Sequence, residues 1–150
     1  MTRKINGSPI RILLVEDSKG DVLLTKRAFK TAKITNTIDV VRDSREAMDF
    51  LHKKGEFKDA AYPDLILMDL NIPGKNGIEV LEEIKSDKDL KSIPVVVLSS
   101  SKADSDVEAS YKNYASGYVV KPIDAQKFIK VAESIEDFWF SIVKLPPRKD

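Results

Sequence analysis

Short apolar runs alternate along this chain with stretches whose apolar residues recur every three or four positions. The runs are IRILLVE (10–16), TIDVV (37–41), LILMD (65–69), IPVVVLS (93–99) and GYVV (117–120). Continuous apolar runs of this length mark strands buried on both faces of a sheet. The intervening stretches carry helical spacing. Val22, Leu23, Phe29 and Ala32 mark a helix over 20–33. Ala47, Met48, Phe50 and Leu51 mark a second, behind Asp43 and Glu46 at capping-box spacing. Ile78, Leu81 and Ile84 mark a third, and residues 103–115 a fourth, polar and weakly patterned. A long fifth begins near Asp124, with Phe128, Val131, Ala132, Ile135, Phe138, Trp139 and Ile142 on its stripe. Five strands alternating with five helices predict a doubly wound α/β domain around a parallel sheet.

In such a sheet, ligands bind beyond the carboxyl ends of the strands. The residues just past each apolar run therefore matter. The first run ends in Glu16-Asp17 and the third in Asp69, with Asn71 two residues on. The fourth ends in Ser99, and the fifth in Lys121-Pro122. The second ends in VRDS, where Asp43 is spent on a helix cap. Four strands thus bring three carboxylates, a hydroxyl and an ammonium to one edge. Each has a blander use, since an acid after a strand is commonly a turn or cap residue, and Asp17-Ser18 could simply cap the first helix. Their arrival in register at successive strand ends favours a shared site.

Composition narrows what that site can be. A chain of 150 residues suits one domain. With 42% hydrophobic and 33% charged residues it is globular rather than disordered. A net charge of +1 gives no basic excess for nucleic acid. Cysteine is absent and His52 is the sole histidine, so thiolate and histidine-rich metal sites are excluded. His52, near a helix end, reads as a surface cation suited to the helix dipole. No apolar stretch has the length of a signal peptide core or a membrane span, and a cytoplasmic protein is expected.

Three carboxylates in one pocket repel, and a divalent cation relieves the repulsion. All-oxygen ligands suit Mg²⁺, which also accepts phosphate oxygens. A carboxylate beside Mg²⁺ and a lysine is a plausible nucleophile toward phosphorus, with Ser99 able to donate to another phosphoryl oxygen.

At these residues the sequence resembles the receiver domain of two-component response regulators. The likeness lies in LLVEDS, LILMDLNIPGKNG, VVVLSSS and GYVVKP, and runs from about Arg11 to about Trp139. Asp69, Ile72, Pro73, Asn76 and Gly77 fit the family pattern around the acceptor. The resemblance implies a flavodoxin-like five-stranded sheet of order 2-1-3-4-5. It implies Asp69 as phosphoacceptor, with Ser99 and Lys121 contacting the phosphoryl group. It implies Mg²⁺ held by Asp17 and Asp69, with Glu16 beside them and Asn71 giving its backbone carbonyl. Tyr118 matches the switch aromatic that moves together with Ser99, and the Lys121-Pro122 bond is expected to be cis. Ser101 and Asn71 are expected to tune how fast the phosphoryl group is lost.

The long connection HKKGEFKDAAYPD and the extension FWFSIVKLPPRKD are similar to those of single-domain regulators that accompany bacterial phytochromes and related histidine kinases. That implies a stand-alone phosphorylation switch, not an enzyme, with a histidine kinase partner. A phytochrome is the candidate kinase. Residues 1–9 form an N-terminal arm, 10–139 the receiver domain with an extended C-terminal helix, and 140–150 a C-terminal extension. A homodimer through the last strand, last helix and extension is expected. The adjacent aromatics Phe138, Trp139 and Phe140 cannot all face one core on a helix, which favours an interface. Neither nucleic acid nor membrane is an expected partner. Two rivals remain. A haloacid dehalogenase-type phosphatase would carry Asp-x-Asp on the first strand, whereas Asp69-Leu70-Asn71 is on the third. A constitutive binding module would not need the intact constellation. Nucleotide-loop motifs of the G-x-x-x-x-G-K-[ST] and G-x-G-x-x-G types are absent.

Overall fold

The computed structural model describes residues 9–33 and 36–133, the side chains of the last three apart. Five parallel strands stand in the order β2-β1-β3-β4-β5: β1 Ile10–Val15, β2 Asn36–Val41, β3 Leu65–Asp69, β4 Val95–Ser99 and β5 Gly117–Val120. Helices α1 Lys19–Thr31, α2 Ser44–Leu51, α3 Gly77–Ser86, α4 Asp104–Lys112 and α5 Ala125–Glu133 connect or follow them. This is the flavodoxin-like order that the resemblance implied. The aromatic cluster at 138–140, the remainder of the long last helix, the 140–150 extension and nearly all of the 1–9 arm lie outside the described residues.

The strand period of two divides the core. Leu13, Val15, Ile66, Met68, Val95 and Val97 face one layer, where Ala47, Phe50 and Leu51 of α2 and Val80, Leu81 and Ile84 of α3 pack. Ile12, Leu14, Leu65, Leu67, Val96 and Leu98 face the other, with Ala28 and Phe29 of α1 and Phe128 of α5. The rings of Phe29 and Phe128 meet at 4.3 Å between centroids and lock α1 to α5. Strands β3 and β4 are buried at every position, as central strands covered on both faces must be.

Helix boundaries follow their caps. Ser18 caps α1 by accepting from the Asp21 N–H at 3.2 Å, which leaves the exposed Asp17 free of that task. Asp43 caps α2 by accepting from the Glu46 N–H at 2.8 Å. Glu46 reaches back to the Arg42 N–H and not to that of Asp43, so the expected box is displaced by one residue. The full capping box belongs to Asn76 and Glu79 on α3. Not every apolar position on the expected stripes is fully buried. Leu23 is 66% exposed, because Thr25, Ala28 and Phe29 already fill the buried face of α1. Ile78 is half-buried while Val80 takes the core position on α3. His52 is the exposed C-cap of α2, with Nε2 3.9 Å from Asp87 Oδ2.

At the amino-end edge of the sheet, Lys85 closes the turn between α3 and β4. Its Nζ donates to Lys91 O at 2.9 Å and Ile93 O at 2.7 Å. Burial holds the Lys85 ammonium below its usual pKa. No helix among the described residues is long and apolar enough to cross a membrane.

Candidate functional site

Register alone brings the polar strand ends together. Val15 pairs with Met68, so Glu16 and Asp69, the residues that follow them, end side by side. Asp69 in turn pairs with Leu98, and Ser99 with Val120, so Ser99 and Lys121 follow at the same edge. The Lys121 N–H donates to Ser99 O at 2.8 Å, and the Lys121-Pro122 bond that follows is cis. Lys127, in the first turn of α5, clamps this loop. Its Nζ donates to Val120 O at 3.1 Å and Pro122 O at 3.0 Å, the carbonyls on either side of Lys121.

The backbone around Asp69 is held closely. The Asn71 N–H donates to Asp69 Oδ1 at 3.1 Å, and the Gly77 N–H to Leu70 O at 2.9 Å. Gly77 opens α3 directly against this turn. A Cβ there would lie 2.7 Å from Leu70 Cα and 2.9 Å from Asp69 O, so only glycine lets the helix approach so near. The loop after Asp69 is also tied to α2: the Ser44 N–H donates to Pro73 O, and Ser44 Oγ accepts from the Lys75 N–H.

Lys121 sends its long stem across β4 to the carboxylates. Its Nζ donates to Asp69 Oδ2 at 3.0 Å and to Asp21 Oδ2 at 2.8 Å, and lies 2.8 Å from Glu16 Oε1. Burial opposes the charged ammonium. The three carboxylates outweigh burial and raise its pKa above the usual lysine range. Glu16 shows the opposite balance. Its side chain is 1% exposed, and burial, reinforced by the neighbouring Asp69, raises its pKa from 4.5 to about 7 despite Lys121. Oε2 accepts from the Ser18 N–H at 3.2 Å. Oε1 is buried, and its 2.8 Å approach to Nζ is an ion pair without a hydrogen bond.

A cation fits here. Carboxylate oxygens of Glu16, Asp17 and Asp69 lie within 4.8 Å of one another. Two of these residues are buried and Asp17 opens to solvent, which suits an ion that keeps part of its water. With Asp21, four carboxylates stand against one ammonium, and the buried Glu16 Oε1 lacks a hydrogen-bond donor. An all-oxygen set of this kind favours Mg²⁺ or Mn²⁺ over zinc or copper.

The hydroxyl side is equally ordered. Ser99 is 1% exposed, and its Oγ accepts from the Ser101 N–H at 3.0 Å while its own O–H remains able to donate. The half-buried Tyr118 donates its O–H to Ser101 O at 3.0 Å. Ser99 and Tyr118 are therefore joined through one residue of the β4–α4 loop. The structure thus gathers Glu16, Asp17, Asp69, Ser99 and Lys121 at one edge, with Tyr118 one hydrogen-bonded step away. Asn71 touches Asp69 through its N–H. Sequence reasoning missed Asp21 and Lys127. Asp21 had a signal, an acid in the first turn of a helix that leaves from a strand end of the site. Lys127 had none, since its targets are backbone carbonyls.

Known proteins match this arrangement. The family model described as the response regulator receiver domain matches residues 12–133. Response regulator Rcp1 of Synechocystis sp. is 46% identical over 141 residues, which cover 94% of this chain and 96% of Rcp1. Among solved structures, the Mn(2+)-bound form of Rcp1 superposes with a TM-score of 0.74 at 45% identity, covering 93% of this chain and 100% of that one. The phosphorylated cyanobacterial phytochrome response regulator RcpA gives 0.75 at 42%, covering 91% and 99%. The same fold, strand order and edge of polar groups, together with a family match over most of the chain, make this protein a member of the response regulator receiver domain family.

Proposed function

We propose that this protein is a stand-alone response regulator that accepts a phosphoryl group on Asp69 from a partner histidine kinase. The observation that carries the proposal is the convergence of Lys121 on Asp69 and Glu16, with Asp17 beside them. The near-complete mutual coverage with Rcp1 supports the stand-alone form. Likeness to RcpA, a phytochrome response regulator, supports a phytochrome as kinase. In this reading, residues 10–139 are the receiver domain, with 1–9 an arm and 140–150 an extension. It works in the cytoplasm, as a switch rather than an enzyme.

Each residue has a physical part. Asp69 attacks phosphorus in line as the phosphorus–nitrogen bond to the kinase's phosphohistidine breaks and the imidazole leaves with the electron pair. Lys121 and the Ser99 hydroxyl pair with phosphoryl oxygens. Asp17, Asp69 and the Asn71 carbonyl would hold Mg²⁺, with Glu16 alongside. When bound, the ion would neutralise charge on the phosphoryl oxygens. The product carries close to two negative charges, and Lys121 and Ser99 shift toward it. Tyr118, tied to Ser101, follows the Ser99 loop and biases a face made by α4, β5 and α5. The event shifts an existing equilibrium and changes docking on that face, including homodimer formation through β5, α5 and the extension.

Intact mass after incubation with acetyl phosphate and Mg²⁺ tests this. Gain of one phosphoryl group is expected, abolished by Asp69→Asn and by EDTA. An equal gain in Asp69→Asn would overturn the acceptor. No gain in a folded, Mg²⁺-bound protein that also fails to bind beryllium fluoride would favour a constitutive binding module. Size exclusion of the same sample tests the dimer: a larger species on phosphorylation supports the switch, and unchanged elution removes it.

A further inference from the structure

We infer that Asp21 is a positioning residue that holds Lys121 in the resting site and competes with the phosphoryl group for it. This rests on the phosphoacceptor reading above. Asp21 is the third residue of α1, the position where Glu46 in α2 and Glu79 in α3 also stand. The backbone N–H of all three goes to the residue capping its helix. Their side chains differ. Glu46 and Glu79 fold back onto N–H groups of the chain entering their own helices. Asp21 instead meets Lys121 Nζ, just past β5, at 2.8 Å, and the Ser18 N–H is taken by Glu16 Oε2. An acid in a first helical turn already gains from the helix dipole without any such partner. Contact with Lys121 is an additional commitment.

A lysine ammonium has three N–H donors. Here Nζ stands 2.8, 2.8 and 3.0 Å from carboxylates of Glu16, Asp21 and Asp69, hydrogen-bonded to the last two and paired with Glu16 by charge. A phosphoryl oxygen on Asp69 must draw Nζ toward itself, so one of these contacts stretches. The Asp21 side chain is 34% exposed, against 1% for Glu16 and 6% for Asp69. Water can replace the lysine at Asp21 and cannot readily do so at the other two. Asp21 is therefore the partner that yields, and its pull on Lys121 opposes phosphoryl capture.

The test uses acetyl phosphate at subsaturating concentration with Mg²⁺, read by intact mass. In the reaction an Asp69 oxygen bonds to phosphorus as the phosphorus–oxygen bond to acetate breaks, and acetate leaves with the electron pair. Asp21→Asn should raise the initial rate about two- to fivefold, the scale of a part-exposed ion pair. Asp21→Glu, which restores the charge, should bring the rate back toward wild type. In a Lys121→Gln background, Asp21→Asn should change nothing. An unchanged or lower rate in Asp21→Asn overturns the inference. So does a rise that persists without Lys121, which would mark a through-space charge effect. If wild type and Asp69→Asn take up equal phosphoryl, the acceptor reading itself falls and this inference falls with it. A wild type that is phosphorylated at Asp69 beside an unresponsive Asp21→Asn removes the inference alone.

Discussion

Replacing Gly77 by alanine tests how firmly the backbone of the acceptor is held. The new methyl carbon would lie 2.7 Å from Leu70 Cα, 2.9 Å from Asp69 O and 2.9 Å from Leu70 Cδ2. Carbon–carbon contacts are optimal near 3.5–4.0 Å, so the two segments must part by roughly 0.8 Å. Neither is free to move. Strand β3 is buried at every position between β1 and β4, and α3 is anchored by the buried Val80, Leu81 and Ile84. Overpacking of this kind costs about 1–3 kcal/mol. Alanine improves helix propensity by up to about 1 kcal/mol within a helix, and by less at its first residue. The net expectation is destabilisation of about 1–2 kcal/mol, seen as a lower urea midpoint with unchanged slope. Asp69 O is one of the crowded atoms, so phosphorylation by acetyl phosphate should slow as well. A Gly77→Ala protein with an equal or higher midpoint would show that the turn yields freely, and would refute the view that α3 clamps the acceptor.

Other perturbations reach different parts of the fold. Glu16 has its pKa raised from 4.5 to about 7, so the folded chain holds a proton that the unfolded chain releases across that interval, and its stability in EDTA falls as pH rises. At about 1.4 kcal/mol per pH unit the loss is on the order of 3 kcal/mol. Denaturation at pH 5 and pH 7.5 should show Glu16→Gln gaining on wild type by that order at the higher pH, and a constant difference would refute the assignment. Phe29→Ala removes a fully buried ring that meets Phe128 at a tilt and should cost about 3–5 kcal/mol in a denaturant titration, with a loss below 1 kcal/mol excluding this contact as the α1–α5 lock. Asp43→Ala removes the cap of α2 and should cost about 1 kcal/mol by the same titration, where no change would show that Ser44 and its neighbours hold the helix end unaided.

Much of this was legible in the chain because burial on two faces writes a simple pattern. LILMD and VVVLS are apolar up to their last residue since helices cover both sides of β3 and β4. A carboxylate, hydroxyl or lysine directly after such a run must emerge at one edge, and register does the rest. What escaped was set by geometry between distant segments. Leu23 fits the helical stripe, yet the face it would share is already filled. The clash behind Gly77 depends on how near α3 comes to Leu70, which spacing does not encode. The contact between Asp21 and Lys121 spans 100 residues and two elements. Lys127 acts on carbonyls, and every residue has one.

The turn closed by Lys85 lies at the edge of the sheet opposite all of these polar groups. Residues Lys88 and Asp89 within it are exposed, and the chain has no cysteine of its own. A cysteine placed at 88 would therefore be a unique attachment point for a dye or a surface tether. The molecule could be immobilised or tracked from that side while the carboxylates, the hydroxyl and Lys121 remain turned toward whatever approaches from solution.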